Sequence, residues 1–289
     1  MSKQDKAQPV ERVAGLAMQL SQGYLADYGA KRSRHDFTQR QLMSCLILRA
    51  YLNTTYRGVI EALAVSAPLR HQLGLADKLP HFTTLQKFSE RSQVASIAQK
   101  LIVRIGELVA ARNPAAAAAM DSTGLETSNA SSYFNHRSGK ATRRWVKVSV
   151  MILCGTLVPL AAVVDLGPSN DRVQVPQLLA QAQAGTRPVR LYADAGYDAE
   201  WIHEHCRDKW GVESVIKPNG QRADGQRNGR WRSLMSPEYL KKHGYGDRWA
   251  VESFFSGLKR TMGQSLRARK LSQLLTEATL KVLAYALRR

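Results

Sequence analysis

Residues 145–166 read WVKVSVMILC-GT-LVPLAAVVDL, two long apolar runs separated by a Gly-Thr pair. Apolar runs of this length, rich in valine and bounded by turn residues, read as strands, and Gly155-Thr156 joins them as a hairpin. Upstream, Ala115 to Met120 is a small apolar run that ends in Asp121-Ser122-Thr123-Gly124, a strand running into a turn. Downstream, Val189 to Ala193 is a short strand ending in Asp194-Ala195-Gly196, and Glu213 to Ile216 is another. Val173 to Ala182 and Ala199 to Trp210 carry helical spacing between them. Lys217 to Arg232 is polar and Gly-rich, a loop, and the chain from Tyr245 onward reads as helix to its end.

The order is strand, strand, strand, helix, strand, helix, strand, loop, helix. Three strands pair as a meander and the later ones cross over through helices. That is the chain order of a ribonuclease-H-like domain, an α/β fold with a mixed five-stranded sheet and flanking helices. The region before it is helical. Leu16 to Tyr28 and Gln39 to Leu52 place apolar residues three and four apart, Thr83 or Thr84 can cap a helix starting near Leu85, and Val94 to Ala111 continues the pattern. Asn113-Pro114 breaks it, because the residue before proline resists the helical region. The expected division is an all-helical N-terminal domain over 1–112, for DNA binding or multimerisation, and a catalytic domain over 113–289.

The chain has 42 Lys and Arg against 23 Asp and Glu, a formal net charge of +19 over 289 residues. Nucleic acid is the partner such an excess favours, with a membrane surface second. The three cysteines, Cys45, Cys154 and Cys206, form no C-x-x-C and suggest neither a zinc site nor a disulfide framework; Cys45 and Cys154 lie in apolar runs and read as core. Met1 to Glu11 has no apolar signal segment, and no 18-residue apolar run exists, so no membrane span and a cytoplasmic, nucleoid-associated protein are expected.

Asp121 and Asp194 each follow an apolar strand. A charge at the end of a buried strand must be capped, paired or metal-bound. Taken singly each reads as a turn aspartate; on neighbouring strands both would project at one end of the sheet. Glu252 is the third acid. Tyr245, Arg248, Glu252 and Lys259 share one stripe of a helix, while Val251, Phe254 and Leu258 form another that can pack on the sheet. The plain alternative for Glu252 is a surface ion pair with Arg248. Three carboxylates suit Mg²⁺, with Mn²⁺ able to substitute. Two such ions, about 3.5–4 Å apart, can serve an in-line phosphoryl displacement.

Tyr245, Arg248, Glu252 and Lys259 match the Y-(2)-R-(3)-E-(6)-K signature, and the whole sequence resembles DDE-type insertion-sequence transposases of families four and five. Asp194-Ala195-Gly196-Tyr197-Asp198 and Asp121-Ser122-Thr123-Gly124 resemble the group's second and first aspartate motifs. Leu79-Pro80-His81-Phe82-Thr83-Thr84-Leu85 resembles the helical region before many of these catalytic domains. The resemblance implies metal-dependent DNA cleavage and strand transfer, with Asp121, Asp194 and Glu252 as catalytic metal ligands for two Mg²⁺ ions. It implies double-stranded DNA partners, the element's terminal inverted repeats and a target, and a homodimer or higher multimer holding two ends. Some relatives carry a large β-rich insertion before the catalytic helix; here about 28 residues, Lys217 to Gly244, fill that gap. A ribonuclease-H-like nuclease without joining activity and a DNA-binding derivative of a transposase are the rival readings.

DNA contacts are expected from bases that stand without acids. Arg137, Lys140, Arg143, Arg144 and Lys147 surround Trp145 with no acid among them, and Arg230 and Trp231 end the basic 217–232 loop, where an aromatic could stack on an unpaired base. Tyr245, Arg248 and Lys259 belong to the same set. Residues 259–289 hold eight bases and one acid, Glu277, and read as a helix packing one face and offering the other to phosphates. His203 and His205 fall on different sides of a helix and read as surface residues.

Overall fold

A computed structural model describes residues 8–30, 32, 34–76, 78–127, 145–219 and 228–289. Arg137, Lys140, Arg143 and Arg144 lie outside the described residues, as does 220–227 of the basic loop. Eleven helices of the described residues are α1 Pro9–Ser21, α2 Gln39–Tyr51, α3 Tyr56–Val65, α4 Ala67–Gln72, α5 Phe82–Ser89, α6 Ser92–Ala111, α7 Val175–Gln183, α8 Glu200–Glu204, α9 Pro237–Lys242, α10 Trp249–Met262 and α11 Leu271–Arg288. Five strands are β1 Ala118–Glu126, β2 Trp145–Leu153, β3 Val158–Gly167, β4 Arg190–Ala193 and β5 Glu213–Ile216. The chain clusters into two compact units, Met1–Leu101 with Leu258–Arg288, and Ile102–Gly257 with Arg289.

The first unit is helical. α2 starts from a capping box: the Thr38 hydroxyl accepts from Gln41 N at 3.2 Å and the Gln41 side chain accepts from Thr38 N at 2.8 Å. The helix is buried all round, from Leu42 to Ala50, as a core helix must be. α1 and α11 pack against it. α11 is therefore not half-exposed as its base content suggests: it is buried from Thr276 to Leu287, Lys281 included. The Lys281 ammonium donates to the carbonyls of Gly263 and Ser265 at 2.9 and 2.8 Å, and burial pushes its pKa down to about 8. Because α11 completes the packing of α1 and α2, the compact unit takes in the C-terminus instead of ending near Asn113-Pro114.

Three helix boundaries differ from the periodicity. α1 runs from Pro9, which suits a first helical position, and the chain leaves it before Gly23, whose φ of 86° no helix continues. α5 begins at Phe82, capped by His81 rather than by a threonine. The C-terminal helix breaks between Met262 and Leu271, where Gly263 adopts φ 79° and Glu277 accepts the backbone N–H groups of Arg267 and Ala268.

The second unit holds the sheet, in the order β3-β2-β1-β4-β5. β1, β2 and β3 are antiparallel; β4 and β5 run parallel to β1. β5 occupies the expected residues. β1 is longer than its apolar run: it continues through Asp121 to Glu126, because β2 pairs with it without interruption from Leu153 back to Trp145. Trp145 closes this corner. Its ring lies where a Cβ on Gly124 of β1 or Gly167 of β3 would stand, at 2.8 and 2.5 Å, so both strands need glycine there. One face of the sheet carries Ala118, Met120, Leu191 and Ala193 under Leu178, Leu179 and Ile202. The helix expected over Ala199–Trp210 starts as α8 and widens into a π-type turn over His205–Trp210. His203, read as a surface residue, is fully buried with Nδ1 2.8 Å from the Ser214 hydroxyl.

Gly106 of α6 sets how closely that helix approaches β3, since a Cβ there would lie 2.7 Å from the Pro159 carbonyl oxygen and 2.9 Å from the Leu160 Cα. Alanine in an unconstrained helix interior would stabilise by about 1 kcal/mol. Here Gly106→Ala is expected to destabilise, by about 1–3 kcal/mol of overpacking. Urea unfolding of the two proteins measures the sign directly.

Candidate active site

The parallel pairing of β1 and β4 matches Ala118 with Leu191 and Ala119 with Tyr192. Continued two residues, this register sets Asp121 level with Asp194. Alternation along each strand puts both on the face opposite Met120 and Ala193. Adjacent strands lie about 4.8 Å apart, so the two carboxylates are neighbours by construction. Asp121 is raised from 3.8 to about 6, first by burial; the Ser122 N–H at 2.7 Å and Arg248 pull it down, and the charges of Asp194 and Asp171 push it up. Asp194 also serves as the turn residue its sequence suggested: its Oδ1 accepts from Gly196 N at 2.8 Å and caps the single turn Ala195–Tyr197.

The segment before α10 is docked onto β4 by two tyrosines. The Tyr192 hydroxyl donates to the His243 carbonyl at 3.0 Å, and the Tyr245 hydroxyl donates to the Ala193 carbonyl at 3.1 Å. Tyr245 is pushed up to about 12, first by burial; Arg248 opposes this, and the charges of Asp194, Asp121 and Glu252 add to it. One residue thus senses all three sequence-nominated acids. Arg248 reaches both of the acids that flank it: its guanidinium lies 3.9 Å from Asp121 Oδ2 and bonds directly to the Glu252 carboxylate. The Arg248–Glu252 ion pair that is the plain alternative reading of Glu252 is present. Val251, Phe254 and Leu258 are fully buried, as their stripe suggested, and Glu252 on the other side is exposed.

Asp171 is the residue that sequence reading missed. It lies in a short turn, Asp171–Gln174, before α7. It accepts from the Ser122 hydroxyl and pairs with the Lys147 ammonium at 2.7 Å. Burial pulls Asp171 upward, but the Lys147 and Ser122 hydrogen bonds outweigh it and hold the carboxyl below its usual range. A Cβ on Gly196 would stand 3.1 Å from both Asp171 Oδ2 and Asp194 Oδ1, so the two carboxylates converge on that glycine. Lys147, grouped by its sequence with the bases expected to contact DNA, is 1% exposed and also donates to the Ser169 carbonyl at 2.7 Å. The signal was a lysine inside the apolar strand VKVSV: a buried ammonium requires an anion.

The other nominated residues lie elsewhere. Trp231 donates from Nε1 to Asp208 at 3.1 Å, and the guanidinium groups of Arg230 and Arg207 sit over its ring at 4.3 and 4.8 Å. Lys259 is half-buried, one residue after Leu258, two turns along α10 from Glu252. Among the described residues, no group of three or more His, Cys, Asp or Glu side chains stands ready to hold a metal ion. The donor chemistry nevertheless fits one: Asp121, Asp194 and Glu252 offer only hard oxygens, and between Asp121 and Glu252 a guanidinium supplies the positive charge.

A five-stranded sheet in the order 3-2-1-4-5, with acids paired across its first and fourth strands, defines the ribonuclease-H-like class of α/β domain. Family comparison takes this further. The model described as "Transposase DDE domain" matches residues 113–287, and "Transposase domain (DUF772)" matches residues 2–91. No curated protein matches. The chain belongs to the transposase DDE domain family: it is a transposase, for which DNA cleavage and strand transfer are the expected activity. Membership implies DNA binding, and the family generally uses divalent metal ions. Among the described residues no helix is long and apolar enough to cross a membrane.

The environment of Asp121 fixes a pH dependence. With its carboxyl raised from 3.8 to about 6, the folded chain holds this proton more tightly than the unfolded chain does. The group therefore favours folding below about pH 4, and that contribution is lost as pH rises through 6. Asp121→Asn keeps the neutral state at every pH. Without divalent metal it is expected to be more stable than the parent by about 1–3 kcal/mol at pH 7.5, allowing for partial exposure, and equal to it near pH 4. Urea unfolding at the two pH values checks this.

Proposed function

We propose that Asp121, Asp194 and Glu252 are the catalytic carboxylates of this transposase and the ligands of its metal ions, two Mg²⁺ per active site with Mn²⁺ able to replace them. The observation that supports the reading best is the β1–β4 register, which makes Asp121 and Asp194 neighbours. When bound, such ions supply electrophilic stabilisation of charge at a phosphate undergoing displacement. The chain's own part is to position. Tyr245 ties the start of α10 to the end of β4, Arg248 holds Glu252 toward Asp121, and Lys147 pairs with Asp171 and offsets part of the charge it adds beside Asp121. In the DNA complex Arg248 and Lys259 hold phosphates and Tyr245 stacks or hydrogen-bonds near the cut strand. Arg137, Lys140, Arg143, Arg144, Arg230 and Trp231 complete the DNA contacts.

The duplexes are the terminal inverted repeats of the element and its target, brought together by a homodimer or larger multimer associated with the nucleoid. On this reading 1–112 contributes end binding and multimerisation and 113–289 the chemistry. The insertion-sequence families four and five are the group whose signature, Tyr245-(2)-Arg248-(3)-Glu252-(6)-Lys259, it shares.

Asp121→Ala, Asp194→Ala and Glu252→Ala are each expected to lower Mg²⁺-dependent nicking of a labelled end by roughly 10³-fold or more, the loss of several kcal/mol of charge stabilisation. Gel-shift affinity should be largely kept, and strand transfer should fall with nicking. Full cleavage by any one variant removes that residue from the site. Lys259→Ala should slow single-turnover cleavage more than Arg260→Ala does, because Arg260 points about 100° away on the helix. Equal rates for the two would remove Lys259 from the reaction.

A further inference from the structure

In the helical unit, three exposed bases stand close together just before α11. Arg267, Arg269 and Lys270 occupy three of four successive positions before α11, and all three are exposed. With Arg49, Tyr56 and Glu90 they line a cavity of about 410 Å³. Its inner wall is Arg49, only 5% exposed, with its guanidinium 4.2 Å from the Tyr56 ring centre and 3.4 Å from Glu277. Its Nε has no hydrogen-bond partner. Arg49 lines the cavity, while its Nε has almost no accessible surface and stays inside the wall.

The rim is held in shape by contacts of Glu277 and Arg267. Glu277 accepts from the N–H groups of Arg267 and Ala268 at 3.1 and 2.9 Å. The Arg267 guanidinium donates to the Asn53 carbonyl at 2.8 Å. These contacts account for the loop's path. They do not require bases at 269 and 270. The first turn of the 18-residue helix α11 adds the positive end of its dipole. Four cations against Glu90 and Glu277 leave a net charge of about +2. Lys270 stands 3.7 Å from Glu90, so that acid restrains one of the rim bases.

We propose that this cavity is a docking site for the phosphate backbone of duplex DNA, with Arg269 and Lys270 as its contacts and the buried Arg49 as part of the wall behind them. It rests on the protein being a DNA-binding transposase and adds a place of contact that the acid site and the signature residues do not supply. Adjacent exposed bases at 269 and 270, with Arg267 close by, suit neighbouring phosphodiesters better than one small anion. Glu90 tunes the site: while it holds Lys270, one contact is weakened.

The test is fluorescence anisotropy of the full chain on a labelled duplex, across a range of salt. Each phosphate contact contributes a log–log slope of about −0.9. Arg269→Ala/Lys270→Ala should lower the steepness by about 1.8 and weaken binding about tenfold or more. Arg12→Ala/Lys100→Ala, an equal change of charge at exposed positions of the same unit, should do neither. Glu90→Gln should act oppositely, tightening binding and steepening the slope. This gain cannot come from a misfolded variant. If the wild-type chain binds duplex with normal salt dependence and the rim variant matches it, the cavity proposal fails alone. A wild-type slope near zero removes the DNA-binding basis as well. If inorganic phosphate alone saturates the site at micromolar concentration while the duplex slope is unchanged in the rim variant, the site serves a small anion and the proposal is wrong.

Discussion

Two like charges are held side by side by a backbone register. The parallel pairing of β1 with β4 sets Asp121 level with Asp194 on one face of the sheet, and the chain cannot separate them without breaking the ladder. Much of the surrounding structure answers that repulsion. Arg248 reaches Asp121 from the short turn Tyr245–Arg248 just before α10 and holds Glu252 with it. Ser122, next to Asp121, gives its N–H to that aspartate and its hydroxyl to Asp171. The buried Lys147 neutralises Asp171, the fourth acid. Burial still leaves Asp121 raised to about 6. A concentration of carboxylates that the protein only partly neutralises is an arrangement that a divalent cation would stabilise. On the proposed function, the site gives up stability for activity, as strained and polar active sites commonly do.

The tyrosines convert that constraint into a defined geometry. β1 and β4 supply two acids, but Glu252 comes from a helix far along the chain. Tyr192 and Tyr245 make the joint, each giving its hydroxyl to a carbonyl across it. Those bonds fix the start of α10. Helical spacing then sets Arg248 and Glu252 one and two turns further on. The apolar stripe of Val251, Phe254 and Leu258 keeps the helix from rolling, since all three are fully buried.

Much of this was legible in the residues. Long apolar runs with a Gly-Thr junction gave the β2–β3 hairpin, Glu213–Ile216 coincides with β5, and the offsets among Tyr245, Arg248 and Glu252 placed them together before any coordinates. What escaped was set by distant partners. β1 continues past Asp121 because β2 is long enough to pair with it, which no local pattern in DSTGLE announces. α11 reads as half-solvated when the bases of 259–289 are counted along the chain; Lys281 is buried, and exposed bases stand on the loop before the helix and at its last residue, Arg288. Lys147 escapes when it is grouped with the bases around Trp145 instead of with its apolar strand, and His203 escapes because helical spacing in a polar stretch does not announce Ser214, the partner beside which it is buried. Asp171 itself sits in a turn, where aspartate is unremarkable.

The central claim, that the β1–β4 register forces Asp121 and Asp194 into mutual repulsion, is tested most directly by a double-mutant cycle on unfolding free energy. The parent, Asp121→Asn, Asp194→Asn and the double variant would be unfolded in urea at pH 7.5 with chelator present. Asparagine keeps the shape and the acceptor that Gly196 N uses, and removes only the charge. Either single change relieves the same repulsion, so the double variant should gain less than the sum of the singles by at least about 0.5 kcal/mol. Additive effects would mean that the two carboxylates do not interact, and the site as described here would be wrong.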